Sequence, residues 1–346
     1  MRSHFQFRSH LRASMTWWCR VFLLAFALLG AAAVGAAPAV WQVATGARAD
    51  TYQAVNLRQF AADVADATHG DLRLQIHTDD SLGKLTEIPR LVETAKLPAG
   101  QALITTLQPQ IPTAGADTIP FLVTTYEDAH RLWVAQKPVL DRELARIGLV
   151  ELYSAPWPPQ GLFTVKPIAS SQDLRGTAMR TYNPPSERIA QLVGARGVNV
   201  PRSALAKALA EGTVDALITS GATGVEDQVW TRMKFFYDIR AWFPKDVLMV
   251  NKAMFDALPA STREAMLRAG HAAEERGWQA SEAAAAASTQ ALISHGVQVQ
   301  PPSFALRDEL RRFGEHTSLE WLRATGNAAN TILIPFFTTP PVASSR

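Results

Sequence analysis

Apolar positions in the first third of the chain follow two different periods. Residues 72–78 (LRLQIHT) alternate apolar and polar side chains, as a half-buried strand does, and residues 40–45 (VWQVAT) form a short, mostly apolar run that also indicates a strand. Between them, Leu57, Phe60 and Val64 recur at the spacing that places side chains on one face of a helix. The pattern therefore predicts a strand, an amphipathic helix and a second strand.

The same alternation of strand and helix patterns continues as far as residue 259. Further extended segments are predicted at 101–107 (QALITTL), 119–122, 149–155, 162–168, 176–182 and 214–220, and the chain returns to sheet near 245–251. Helices are predicted at 87–95, around Leu132 and Trp133, at 186–195 and at 203–212. This order predicts an α/β fold with mixed sheets flanked by helices.

Two segments interrupt the alternation. Residues 156–159 (PWPP) contain three prolines in four positions, which excludes a helix or a central strand and predicts a crossing between two domains. Residues 261–294, by contrast, consist almost entirely of helix formers. A helix of this length is unusual within one domain, so it is expected to span both.

The N-terminal residues 1–36 have the three parts of a secretory signal peptide. A basic stretch ends at Arg20, the apolar run 21–34 follows, and small residues up to Ala36 suit cleavage. The apolar run is shorter than the roughly 20 residues that a transmembrane helix needs. Cys19, the one cysteine of the chain, lies in this leader. The pattern predicts export to a bacterial periplasm and a mature chain without thiol or disulfide chemistry.

The net charge of +3 at pH 7 comes from the leader. Four of the 34 basic side chains and none of the 31 acidic ones lie in residues 1–36, so the remainder carries 30 basic against 31 acidic groups. No basic surface is therefore expected on the body of the protein, and nucleic acid is not an expected partner.

The body lacks the common catalytic and metal-binding motifs. It has no nucleophile elbow, phosphate-binding loop or dinucleotide-binding fingerprint, and no H-E-x-x-H pair. The six histidines after residue 36 are scattered, none within four positions of another. No catalytic residue, cofactor or metal is predicted.

Several runs, taken in order, resemble the solute-binding proteins of tripartite ATP-independent periplasmic (TRAP) transporters of the DctP type. They are FAADVADATHGDLRLQIHTDDSLGKLTEIPRLVE, DTIPFLVTTYEDAHRLW, KPIASSQDLRGTAMR, LVGARGVNVP, ALAEGTVDALITS and VNKAMFDALPASTREAMLRAG, and they cover nearly all of the chain after the leader. The resemblance implies a two-lobed periplasmic binding protein fold that closes over an organic acid, without enzymatic activity. It also implies membrane transporter subunits as partners.

On this resemblance the chain divides into four parts. Residues 1–36 are the signal peptide, 38–155 with about 243–282 form the first lobe, and 156–242 with about 283–335 form the second. Residues 336–346, rich in proline, serine and threonine, are expected to be a flexible tail.

The resemblance also places Arg180 at the family's carboxylate-binding arginine, after the D-L-x-G run that begins at Asp173. An arginine can donate two parallel hydrogen bonds to one carboxylate, which lysine cannot do. The end of a strand in an open α/β sheet is where such a ligand is expected. A surface or interlobe salt bridge is the alternative role for this side chain.

Four more residues are candidates by resemblance. Thr219 and Ser220 stand where many family members have Glu-Asn-Pro, which counts against a sugar acid held by an asparagine amide. Asn183 is expected to orient Arg180 or to contact the ligand. Arg202 matches a position that is aromatic in the sialic-acid binders, so it either touches the ligand or is exposed at a helix start.

Five further candidates lie near the cleft that the resemblance implies, two threonines carried over from the resemblance and three aromatic residues. Thr105 and Thr106 end an apolar run and are expected to face the cleft from the first lobe. Tyr52 begins the first helix, and Trp157 and Trp242 lie at the two expected crossings. Aromatic side chains there would form walls for an apolar ligand body, although core packing is the alternative for each.

The predicted function is capture of an organic acid anion, a monocarboxylate with a hydrophobic or aromatic body, by a monomeric periplasmic receptor. A secreted α/β hydrolase or lyase is the alternative from another class, and it requires a carboxylate or histidine base in the cleft. A receptor that signals to a sensor partner instead of a transporter fits the same sequence.

Overall fold

A computed structural model describes residues 38–201 and 204–339. The predicted signal peptide, Cys19 and Arg202 lie outside the described residues. The strands are β1 Ala39–Thr45, β2 Leu72–His77, β3 Ala99–Leu103, β4 Leu149–Pro156, β5 Gln160–Thr164, β6 Ala178–Thr181, β7 Arg196–Asn199, β8 Ala216–Ser220, β9 Phe235–Tyr237, β10 Lys245–Asn251 and β11 Gln298–Gln300. The helices are α1 Tyr52–Ala67, α2 Ile88–Glu93, α3 Tyr126–Arg146, α4 Pro184–Leu192, α5 Leu205–Ala210, α6 Gly221–Glu226, α7 Lys252–Asp256, α8 Ala260–Ser294, α9 Phe304–Thr325 and α10 Asn327–Thr338.

Helix α1 forms as its apolar spacing predicts. Thr51 caps its N-terminus by accepting a hydrogen bond from the backbone N–H of Ala54, which satisfies one of the unpaired donors of the first turn. The side chains of Leu57, Phe60 and Val64 are fully buried against the first sheet. The predicted amphipathic helix is therefore confirmed.

The first sheet has the strand order β2-β1-β3-β10-β4. Strands β1 and β3 are parallel, whereas β10 runs antiparallel to both β3 and β4. As a result, the carboxyl ends of β1, β3 and β4 share one edge with the amino end of β10. Thr45, Leu103, Pro156 and Lys245 stand at this edge.

The second sheet has the strand order β11-β9-β5-β8-β6-β7. Strand β5 is antiparallel to β8 and β9, while β6 is parallel to β7 and β8. The amino end of β5 therefore shares an edge with the carboxyl ends of β6 and β8. Gln160, Thr181 and Ser220 mark this edge.

Two extended segments join the sheets and are hydrogen-bonded to each other. The backbone N–H of Trp157 donates to the Pro244 carbonyl at 2.7 Å, and that of Gln160 donates to the Trp242 carbonyl at 3.0 Å. Because β4 leads directly through residues 157–159 into β5, the marked edges of the two sheets both lie at this crossing. The edges form the two sides of a cleft between two lobes.

Helix α8 connects the two lobes along its 35 residues. Met266 and Ala273 are buried with the core of the first sheet, and Leu292 is buried with the core of the second. A Cβ atom on Gly270 would lie 2.3 Å from the Leu152 carbonyl oxygen, so only glycine permits this close approach to β4. The predicted long helix that spans both lobes, and the two-lobed α/β fold, are confirmed.

One predicted extended segment is confirmed only in its first half, and another is wrong. The strand expected at 101–107 ends at Leu103, and Ile104–Leu107 forms a 3₁₀ turn because the apolar pattern alone does not separate strand from turn. Residues 119–122 form a turn in which Phe121 has a φ of +60°. The Phe121 N–H donates to the Ala241 carbonyl at 2.6 Å, which ties this turn to the crossing.

The C-terminal helix α10 packs on the first lobe. It continues to Thr338, past residue 336, where the flexible tail was expected to begin. Its Ile332 and Phe336 are buried with Leu132 and Val139 of α3. The described structure thus continues into the segment expected to be a flexible tail, as far as residue 339. The lobe boundaries given from the sequence remain a prediction.

Candidate functional site

Arg180 lies on the cleft edge of the second sheet. It is the third residue of β6 and is paired in register with Val198 of β7 and Leu217 of β8. Its side chain is 3% exposed. The Nε atom donates to the Val200 carbonyl at 2.9 Å, and the guanidinium carbon lies 4.4 Å from the centre of the Tyr182 ring. Both contacts fix the orientation of the guanidinium group before a ligand arrives.

Two of the three neighbouring polar candidates of the second lobe have structural hydrogen bonds. Ser220 is fully buried and caps α6 by accepting from the Thr223 N–H at 3.1 Å. Asn183 caps α4 because its Oδ1 accepts from the Ser186 N–H at 3.0 Å. Thr219 is 4% exposed within β8. These residues lie near the cleft edge, and two of the three orient the helices that begin there.

Asp246 lies on the opposite side, near the amino end of β10. Its carboxyl group is buried, and burial raises its pKa to about 7 although a hydrogen bond from the Trp157 side chain partly offsets this effect. Leu248 and Val250, which share its face of the strand, belong to the core under α1 and α8. Asp246 therefore occupies the cleft end of that core.

Tyr52 and Trp157 complete this side of the cleft. The Tyr52 hydroxyl donates to the Pro156 carbonyl at 2.6 Å, which fixes the first turn of α1 at the end of β4. Burial raises the pKa of Tyr52 well above its usual value, and the nearby negative charge of Asp246 adds to the effect. Deeper in the sheet, Gln101 bonds to Thr45 at 3.1 Å and to the Tyr153 hydroxyl at 3.3 Å. The cleft end of the first lobe is thus a buried polar layer.

Sequence reasoning missed Gln53, the second residue of α1. Its side chain is 3% exposed, and within the described part of the chain neither atom of its carboxamide has a hydrogen-bond partner. A glutamine in a first helical turn is an ordinary helix former, so no sequence pattern marks it. Asp246 was missed as well, because only the antiparallel return of β10 brings it to the cleft edge.

Three other candidates lie elsewhere or have another role. Trp242 is fully buried in the core of the second lobe with Leu162 and Leu306, as in the core-packing alternative. Thr105 and Thr106 are half-buried in the 3₁₀ turn after β3, where Thr106 donates to the Leu103 carbonyl at 2.6 Å. Turn geometry, not a strand end, sets the direction of both side chains.

A buried ion pair supports the opposite face of β10. The Lys245 Nζ atom lies 3.5 Å from Asp117 Oδ2, and both side chains are 1% exposed. The same Oδ2 accepts the Lys245 backbone N–H at 2.8 Å. Burial raises the pKa of Asp117 and lowers that of Lys245, while each charge opposes the shift of the other. This pair fixes the start of the strand that carries Asp246.

Two surface pockets can be compared with these residues. An open depression of about 900 Å³ lies between α1 and β2, and a second of about 450 Å³ lies between α8 and the crossing. Neither Arg180 nor Asp246 lines them, so the candidate site is defined by the buried polar residues at the cleft edges of the two sheets. Among the described residues, histidine and carboxylate side chains form no cluster able to hold a metal ion. In the same part of the chain, every helix is too short or too polar to cross a bilayer.

The chain matches the family model described as bacterial extracellular solute-binding protein, family 7 (DctP), over residues 43–316. Among solved structures, it is similar to DctP7 and DctP6 of Bordetella pertussis, extracytoplasmic solute receptors binding pyroglutamic acid. The identities are 34% and 35%, and both comparisons have a TM-score of 0.84 and cover 87% of this chain and 100% of the other. A TRAP solute-binding protein from a marine metagenome, specific for pyroglutamate, is 31% identical with a TM-score of 0.81 over 87% and 99% of the two chains.

A curated relative, the solute-binding protein of Albidiferax ferrireducens, is 28% identical over 221 residues. This stretch is 62% of the present chain and 64% of the relative, slightly less than two thirds of its length. Since the family model covers most of the chain, the protein belongs to the DctP family of bacterial extracellular solute-binding proteins. The resemblance to TRAP receptors is confirmed, and the family is one of transport receptors rather than enzymes.

Replacement of Asp246 by asparagine is expected to stabilise the ligand-free protein at pH 8 and to have little effect near pH 4. The folded pKa of about 7 lies above the ordinary value of 3.8, so ionisation of Asp246 reduces stability as pH rises from 4 to 7. The gain at pH 8 is up to about 4 kcal/mol, from about 1.4 kcal/mol for each pKa unit. Urea unfolding at both pH values measures it.

Asp71→Asn is the matched control, because Asp71 is exposed. It is expected to change the free energy of unfolding by less than about 0.5 kcal/mol at either pH. An effect of Asp246→Asn that is the same at pH 4 and pH 8 would show that Asp246 is not a buried acid.

Proposed function

We propose that this protein is the extracytoplasmic receptor of a TRAP transporter and that it binds an organic acid anion through Arg180. The observation that carries the proposal is the buried, oriented guanidinium of Arg180 at the cleft edge of one sheet. Charge-assisted bonds from a guanidinium to a carboxylate are strong in a closed cleft because water does not compete for them.

The proposed ligand is a small cyclic monocarboxylate of the lactam class. Three solved relatives of 31–35% identity are described as binding pyroglutamate, a ring with one carboxylate and one amide. The aromatic side chains of Tyr52, Trp157 and Tyr182 near the cleft edges suit the apolar part of such a ring. This refines the expectation of a monocarboxylate with a hydrophobic body.

The two lobes would close around the ligand by bending at the crossing. The carboxylate contacts Arg180 on the second lobe while the ring contacts the first lobe, so only the closed form makes both sets of contacts. The hydrogen bonds that pair the segments at Trp157 and Pro244 would keep the hinge in register during this motion. The closed form is then the one that the transporter recognises.

The proposed setting is the bacterial periplasm, with the membrane subunits of the transporter as partners and a monomer as the working form. Transfer of the ligand to a sensor protein would use the same cleft. Uptake of labelled ligand by cells, abolished when genes for multispanning subunits are deleted, separates transport from sensing.

A thermal-shift panel tests the proposal. The protein exported from the full chain is unfolded and refolded to remove bound solutes, then heated with pyroglutamate, proline, succinate, glucuronate or benzoate. A ligand at about 1,000 times its Kd stabilises the native state by about 4 kcal/mol. Pyroglutamate is expected to give the largest rise in Tm. If no carboxylate raises Tm, the proposed function is wrong.

A further inference from the structure

We propose that Gln53 is the specificity-determining residue of the site and that its carboxamide pairs with the cis-amide edge of a lactam acid. The inference rests on the proposed function, because it assumes that an acid is bound at Arg180. Gln53 belongs to the first lobe and Arg180 to the second, so the two residues would hold opposite ends of one ligand.

The starting observation is a buried carboxamide without a partner in the described part of the chain. Both Oε1 and Nε2 of Gln53 are buried and make no hydrogen bond there. The side chain is 3% exposed, so bulk water does not satisfy these atoms. A buried polar group without a partner reduces stability, and such groups concentrate where a ligand binds.

The position of Gln53 places this carboxamide at the cleft. Gln53, Leu57 and Phe60 share the inward face of α1 at helical spacing, and the last two pack in the core of the first lobe. Gln53 is one turn closer to the N-terminus of α1 than Leu57. The Tyr52 hydroxyl bond to Pro156 holds that turn at the end of β4, where the crossing begins.

Asp246 lies on the same side of the first sheet. It shares its face of β10 with Leu248, which belongs to the core cluster that contains Leu57. Asp246 is paired in register with Ala155 of β4, and the next residue, Pro156, accepts the Tyr52 hydroxyl, so Asp246 and the first turn of α1 both lie at the end of β4. Gln53 therefore extends a polar layer that already lines the cleft end of this lobe.

The chemistry of the carboxamide determines which ligand fits. A primary carboxamide presents an acceptor and a donor side by side, and the ring amide of a lactam presents an N–H and a C=O on one edge. Oε1 would accept the ring N–H while Nε2 donates to the ring carbonyl. An acyclic secondary amide is trans and turns these groups to opposite sides. One ligand thus satisfies both atoms of Gln53.

Titration calorimetry with a series of ring acids that differ in their amide groups tests this pairing. Pyroglutamate carries both amide groups, its lactone analogue 5-oxotetrahydrofuran-2-carboxylate lacks the N–H, proline lacks the carbonyl, and cyclopentanecarboxylate lacks both. A site built to hydrogen-bond these groups is expected to bind cyclopentanecarboxylate at least about 100-fold more weakly than pyroglutamate, with the lactone in between.

The variant Gln53→Met removes the hydrogen-bonding groups and keeps the length of the side chain. It is expected to weaken pyroglutamate binding at least about 30-fold and to change cyclopentanecarboxylate binding less than about threefold. A merely structural role would weaken both ligands equally. Gln59→Met on the exposed face of the same helix is the control, and it should leave all affinities unchanged.

The outcomes separate this inference from the proposed function. If the wild-type protein binds pyroglutamate and cyclopentanecarboxylate equally, or Gln53→Met keeps the wild-type discrimination, the role of Gln53 is overturned while acid binding stands. If the wild-type protein binds none of the acids, both proposals are overturned. Should Gln53→Met not fold, the wild-type series of ring acids and Gln53→Glu, which loses the Nε2 donor, still decide the question.

Discussion

Arg180→Met is expected to weaken binding of pyroglutamate by about 30-fold to 4,000-fold, and Arg180→Lys by at least about tenfold. Truncation of one partner of a buried charged pair costs about 2–5 kcal/mol, which gives the larger range. Lysine keeps the charge but cannot form the two parallel bonds of a guanidinium, nor the Nε bond to Val200 that orients it. Calorimetric titration of refolded protein measures each affinity.

Arg196→Lys is the matched control for this series. Arg196 lies on the adjacent strand β7 and is exposed, so its replacement is expected to leave the affinity within about twofold of wild type. Circular dichroism of the Arg180 variants without ligand should show intact secondary structure. Wild-type affinity in Arg180→Lys would mean that another group holds the carboxylate.

Lys245→Met is expected to lower the free energy of unfolding by about 3–5 kcal/mol in the absence of ligand. The change leaves the carboxylate of Asp117 buried without its counter-charge, and breaking a buried pair in this way is strongly destabilising. The double variant Lys245→Met with Asp117→Asn should recover part of the loss, because a neutral amide can still accept the Lys245 backbone N–H. Urea unfolding at pH 8 measures all three proteins.

The control is Lys252→Met. Lys252 lies seven positions after Lys245 and forms an exposed ion pair with Asp256. An exposed pair contributes less than about 1 kcal/mol, so little change is expected. Equal destabilisation by Lys245→Met and Lys252→Met would mean that the buried pair does not hold the start of β10.

Local patterns were sufficient to predict much of the fold. The apolar spacing of Leu57, Phe60 and Val64 predicted a helix that buries this face, and the proline-rich residues 156–159 predicted the crossing. The helix-forming run after Pro259 predicted α8 and its reach across both lobes. These features depend on neighbours in the sequence, which is why the sequence alone reveals them.

The candidate site was less accessible from the sequence. Asn183 and Ser220 were placed near the cleft by resemblance, but their side chains cap helices, a role that polar residues at helix starts commonly have. Trp242 lies at a crossing and yet packs in a core. Nothing in the sequence showed which of these roles each side chain takes, because the burial of a side chain depends on which other elements of the fold pack against it.

The residues that were missed are brought to the cleft by long-range pairing. Asp246 lies in the first sheet only because β10, which follows the strands β5 to β9 of the second sheet in the sequence, lies between β3 and β4. Gln53 stands out only through the absence of partners for a buried amide within the described residues. Neither property has a local signature in composition or periodicity.

Calorimetric titration of the refolded protein with pyroglutamate and, separately, with its primary amide gives the most direct test of carboxylate capture at Arg180. The two ligands have the same ring and differ only in the charge of the group that Arg180 would hold. Pyroglutamate is expected to bind one site, and the amide at least about 100-fold more weakly, as for a charged group that is removed from a buried pair. Equal affinity for both ligands, or no binding of the acid, would contradict the proposed function.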